Sequence, residues 1–137
     1  MPAAFDPVKA LGEFPAAHAG RLRFVSEADR SVFGTISLGV LFVMAWWSGP
    51  ARQGFLRLKQ VLAALDPGGQ LEIVVVDTDK CPDLYECQEF AGQLHGWGEV
   101  AWVRDGRVVC TSGTGYHPEC FEPHTRQLLA SVSARTP

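Results

Sequence analysis

Four cysteines and four histidines are the side chains of this 137-residue chain best suited to chemistry. Cys81 directly precedes Pro82 at the start of a predicted helix, where the helix dipole and free backbone N–H groups favour a thiolate. It is the candidate reactive thiol, suited to a peroxide or disulfide reductase. Cys87 falls on the apolar face of the same helix and is expected to pack as a small hydrophobe. If the helix begins at Pro82, six residues place the two Cα atoms about 9 Å apart, beyond the roughly 7 Å that a disulfide spans. Cys110, His117, Cys120 and His124 form a second constellation. Two thiols and two imidazoles are a donor set that tetrahedral zinc accepts. Their spacings match no familiar finger, however, so no metal is expected. A Cys110–Cys120 disulfide is geometrically possible across the intervening loop, but the reducing compartment expected for the chain argues against it. Ser48 stands between a strand and a helix with no histidine near it in sequence to activate it, so it is expected to be an N-cap and not a nucleophile.

Composition narrows the setting for this chemistry. Hydrophobic residues make up 47% and charged residues 20% of the chain, as in an ordinary globular domain large enough to bury a core. Net charge is -3, with no block of basic residues, which argues against a phosphate-binding surface for nucleic acid. Met1 to Phe14 lacks a basic region followed by an apolar core, so no secretory signal is expected there. Leu38 to Trp47, the most apolar run, is about half the length needed to span a bilayer. Cysteines without a signal peptide point to a reducing cytoplasm, where structural disulfides are rare.

The elements that must position these residues follow from patterning. Residues 1 to 20 hold Pro2, Pro7 and Pro15 with little periodicity and read as an arm ahead of one domain over 21 to 137. Arg21 to Val25 is a first strand. Ser26-Glu27-Ala28-Asp29 offers an N-cap for a short helix ending near Gly34. Leu38 to Trp46 is apolar on both faces, as a central strand covered by helices on each side must be. Pro50 suits the first position of the next helix, because its missing N–H costs nothing there. Phe55, Leu58, Leu62 and Leu65 give that helix one apolar stripe, and Asp66-Pro67-Gly68-Gly69 ends it. Leu71 to Val76 is a second apolar strand, completing a right-handed βαβ unit with parallel strands. A helix over about Pro82 to Leu94 follows. Asp105-Gly106 then joins Glu99–Val103 to Arg107–Thr111 in a hairpin. A last helix from about Pro123 to Ser133 buries Leu128, Leu129 and Val132.

The order is β, α, β, α, β, α, β, β, α, and Trp47-Ser48-Gly49-Pro50-Ala51 sits at the end of the central strand. This stretch resembles the thioredoxin active-site turn Trp-Cys-Gly-Pro-Cys, and the resemblance to the thioredoxin-like superfamily covers roughly residues 21 to 133. It implies an α/β fold with a central mixed sheet of four to five strands and helices on both faces. Five positions depart from the family's pattern. Ser48 and Ala51 replace the two cysteines, and without a thiolate and a resolving thiol no dithiol–disulfide exchange can proceed. Phe42 stands at the position of the family's buried aspartate, and Val75 at that of its accompanying lysine. With no dithiol to serve, burying those charges would bring a cost without return. Gly98, in His95-Gly96-Trp97-Gly98-Glu99, stands at the position of the substrate-cradling cis-proline. Cis bonds are essentially a proline phenomenon, so the glycines around Trp97 are expected to permit a different backbone path.

The resemblance with these departures implies a redox-inactive protein-binding module that uses the remnant active-site face. Trp47, Ser48, Gly49, Pro50, Trp97, Gly98 and Glu99 are its candidate residues, with the tryptophans as interface anchors. The expected partner is another protein, as for an adaptor, a chaperone-like subunit or an inhibitor. No cofactor, nucleic acid or membrane is expected. The alternatives are an atypical thiol oxidoreductase or peroxidase using Cys81, and a transferase in which Ser48 steadies a bound thiol.

Overall fold

A computed structural model of the chain describes residues 20–25, 29–45, 49–77, 98–112 and 118–133. The first strand, β1 (Leu22–Val25), is followed by a 3-10 helix (Arg30–Thr35) and the central strand β2 (Leu38–Met44). Helix α1 (Gly49–Leu65) leads to β3 (Glu72–Asp77). Strands β4 (Val100–Arg104) and β5 (Arg107–Thr111) follow, and a 3-10 turn (Pro118–Cys120) opens helix α2 (Phe121–Ser133). The sheet order is β1-β3-β2-β4-β5.

The expected pairings are present. β2 and β3 are adjacent and parallel, with Phe42 beside Val75, and β4 runs antiparallel to β2, with Phe42 beside Val100. The continuous apolar runs of β2 and β3 are explained by burial on both faces. Val40, Phe42 and Met44 face Ile73, Val75, Val100 and Trp102 in a core closed by Phe55, Leu58 and Leu62 of α1 and Phe121 and Leu128 of α2. Leu41, Val43, Val74, Val76, Ala101 and Val103 face the other way, against Val32, Phe33 and Ile36. The helical stripe behaves as its spacing predicts, except that Leu65 is only partly buried.

Turn chemistry fixes the ends. Asp105 (φ 54) and Gly106 (φ 77) are both left-handed, as a two-residue hairpin turn of the type I′ class requires. Their N–H groups donate to the Ser37 and Ile36 carbonyls at 2.7 and 2.9 Å, which ties the hairpin to the entry of β2. At the end of α1, buried Asp66 accepts from the N–H groups of Gln70 and Leu71, each at 2.9 Å.

Strands β1, β3 and β4 start one residue later than expected, and the helices differ as well. The short helix near the N-terminus is 3-10, and its N-cap is Asp29, whose carboxylate accepts from the Ser31 N–H. Helix α1 begins one residue before Pro50 and α2 two residues before Pro123. Proline in a first turn forfeits only an N–H that has no intrahelical partner. The N-terminal arm and the predicted Pro82–Leu94 helix lie outside the described residues. Among the described residues no helix is long and apolar enough to cross a membrane.

Candidate functional site

Strand β2 delivers Phe42 to the place where α1 begins and β4 starts. Phe42 is fully buried, as is Ala51 in the first turn of α1. The Phe42 ring meets that of Phe55 edge-on, with centroids 5.2 Å apart. Gly98 closes the junction from the β4 side. Its φ of +87° is a conformation that L side chains rarely adopt, and a Cβ there would lie 3.2 Å from Phe42 Cζ and 3.1 Å from Ala51 Cα. The backbone conformation therefore favours glycine, and the close contacts add to that preference. Proline, with φ locked near −65°, cannot take this conformation at all. The expected unusual path at Gly98 is thus observed, beside the Phe42 ring that fills the junction.

The remaining anticipated residues are placed unevenly. Gly49 is half-buried and Pro50 exposed at the start of α1. Gly98 and Glu99 are enclosed, Glu99 completely, although both were expected to shape a partner's approach. Pairing explains their position, since the Glu99 carbonyl accepts from the Val43 N–H at 2.9 Å and so extends the β2–β4 ladder. Trp46, Trp47, Ser48, Cys81, Cys87 and Trp97 lie outside the described residues.

A second cluster lies at the β5 edge. Cys110 is paired with Trp102 across the β4–β5 ladder, so both side chains rise on the face covered by α1 and α2. Trp102 is fully buried and donates its indole N–H to Thr125 Oγ1 at 3.0 Å. Its ring centroid lies 5.9 Å from that of Phe121 and 4.9 Å from that of His124. His124 Nε2 donates to the Thr111 carbonyl at 3.1 Å, which leaves Nδ1 without the proton in the neutral ring. Cys110 and Cys120 are free thiols packed against the same core. Burial pushes each up to about 11, and Glu119 and Cys110 add to the effect on Cys120. Such thiols carry very little thiolate near neutral pH.

His117, the fourth member of the predicted constellation, lies outside the described residues. Among the described residues no group of three or more histidine, cysteine or acidic side chains could hold a metal ion. The roles of Trp102 and Thr125 were not apparent in the sequence. A tryptophan within an alternating strand reads simply as core, and nothing local links it to a threonine 23 positions away.

No protein-family model and no curated protein matches the sequence. Solved structures do resemble it. The thioredoxin of Trypanosoma brucei brucei is 15% identical with a TM-score of 0.61, over 86% of this chain and 95% of that one. Desulfothioredoxin from Desulfovibrio vulgaris Hildenborough is 21% identical with a TM-score of 0.56, over 80% and 95%. A chain from the structural work on thiol resolution in yeast mitochondrial 1-Cys peroxiredoxin via the glutathione/thioredoxin systems is 19% identical with a TM-score of 0.59, over 80% and 97%. At these identities the likeness is one of fold: the chain has a thioredoxin-like fold.

Proposed function

We propose that the chain is a redox-inactive protein-binding module that uses the face corresponding to the thioredoxin active site. The observation that carries this reading is the close-packed junction of Phe42, Ala51 and Gly98. Dithiol exchange needs a resolving thiol and a path for its proton. At the positions matching the family's resolving thiol, buried acid and cradling proline, this chain has methyl, phenyl and hydrogen. None of these takes up or releases a proton. Cys110 and Cys120 lie on β5 and before α2 and not at this junction, so they do not stand in for its missing dithiol.

Recognition would then fall to the rim of the junction. Trp47 and Trp97 are the proposed anchors, with Ser48, Gly49 and exposed Pro50 next to Trp47 in sequence. Gly98 and Glu99, which follow Trp97 in sequence, contribute through their enclosed backbone. Truncation of a tryptophan anchored at the centre of an interface costs about 2 kcal/mol or more, roughly thirtyfold in affinity. The experiment is affinity capture of a partner protein, followed by titration with wild type and with Pro50→Arg. Pro50→Arg places a long cation on the exposed rim and leaves the junction intact. A loss of at least tenfold in affinity, with an unchanged melting temperature, supports the assignment. Equal affinities would move the binding surface elsewhere.

A further inference from the structure

We infer that Cys110 and Cys120 form a reversible dithiol–disulfide pair that latches the edge strand β5 to the start of α2. The two thiols are ten positions apart in sequence and are held by the same support. Cys110 sits across from Trp102 in the β4–β5 ladder. Cys120 immediately precedes Phe121, whose ring packs on Trp102. From the other side, His124 in the first turn of α2 hydrogen-bonds the carbonyl of Thr111, the residue after Cys110. Both sulfurs pack against one apolar cluster, and a charge on Cys110 is felt at Cys120. Strand and helix are thus tied together beside the two thiols before any bond forms.

The oxidant is a low-molecular-weight disulfide. One cysteine thiolate attacks a sulfur of glutathione disulfide, forming a mixed disulfide and releasing one glutathione thiolate. The other cysteine thiolate attacks the protein sulfur of that mixed disulfide and releases the second glutathione thiolate. The protein's two thiol protons pass to the two leaving thiolates. Two electrons move from the cysteine pair to the glutathione disulfide, and excess glutathione reverses both steps. Because half-buried, protonated thiols attack slowly, the pair approaches equilibrium slowly at neutral pH and faster in mild alkali.

The test equilibrates the full chain carrying Cys81→Ser and Cys87→Ser in glutathione/glutathione disulfide mixtures at pH 8, with acid quenching and intact-mass and peptide analysis. A mass loss of about 2 Da in the monomer is expected as the mixture becomes oxidising, following the two-electron ratio. The Cys110–Cys120 peptide should appear with it. Melting temperature should rise by roughly 5 to 10 °C on closure, as for a short-loop disulfide in a domain of this size. Cys110→Ser should halt at a mixed disulfide between glutathione and Cys120. Thiols that stay reduced at every ratio would overturn the inference. So would mixed disulfides that accumulate without closing, or a bond that forms only between two chains.

Discussion

The start of α1 and the outer edge of the β4–β5 hairpin lie against one continuous core and are built from opposite materials. At the first, Phe42, Ala51 and Gly98 meet in an apolar junction where a Cβ on Gly98 would crowd its neighbours at 3.1 to 3.2 Å. At the second, the Trp102 indole N–H donates to the Thr125 hydroxyl beside the His124 imidazole, Cys110 lies across the ladder, and Cys120 packs on the same core, with both thiols only half-buried. Sulfur gathers at the hairpin edge, while hydrocarbon fills the junction. The contrast shows how packing is kept at the junction: a phenyl ring takes the volume that a residue without a side chain leaves open.

The largest effect should come from restoring the acid at the junction. Phe42→Asp removes a buried ring, leaves a cavity and buries a carboxyl among Phe55, Val75 and Val100. A loss of about 4 kcal/mol or more is expected from chemical denaturation. A loss under about 1 kcal/mol would mean the junction is looser than its contacts imply. Gly98→Pro comes next, at about 3 kcal/mol, because no proline can hold φ +87°. At the hairpin edge, Thr125→Val strips the partner from the buried indole N–H of Trp102 and should cost about 1 to 3 kcal/mol. A neutral result there would show that the indole N–H finds another acceptor.

The smallest expected effect is on pH dependence. Cys110 and Cys120 titrate at about 11 in the folded chain, above the roughly 8.5 of an exposed thiol. A raised value favours the protonated thiol in the folded state. Its contribution is complete below about pH 8.5 and is lost as pH climbs toward 11, where the unfolded chain has already ionised. Both thiols are half-exposed, so solvent screening shrinks the amplitude. Melting curves from pH 8 to 10.5 should fall more steeply for the wild-type chain than for Cys110→Ser/Cys120→Ser. Equal slopes would show that neither thiol is held protonated by the fold.

Much of the frame was legible because its signals are local. β2 and β3 announce themselves by apolar residues on both faces, and Asp105-Gly106 specifies its own left-handed turn. The Gly-Trp-Gly stretch hinted at an unusual path, and Gly98 follows one. What the sequence could not convey depends on long-range company. Glu99 looks like a surface acid, yet it is buried where the β2–β4 ladder continues past Val100. Asp66 looks like an ordinary helix-ending acid, yet it is buried holding two N–H groups of the following loop. The Trp102–Thr125 bond joins β4 to α2 and leaves no mark in either segment alone.

The central claim, that the thioredoxin-like site of this chain performs no dithiol exchange, is tested most directly by insulin-disulfide reduction with dithiothreitol as the electron source. The wild-type chain should give the rate of the protein-free blank. Ser48→Cys/Ala51→Cys should give only feeble turnover, because Phe42, Val75 and Gly98 still lack the acid, the lysine and the proline. Turnover by the unmodified chain at a rate comparable to a thioredoxin run alongside would contradict the account and shift attention to Cys81.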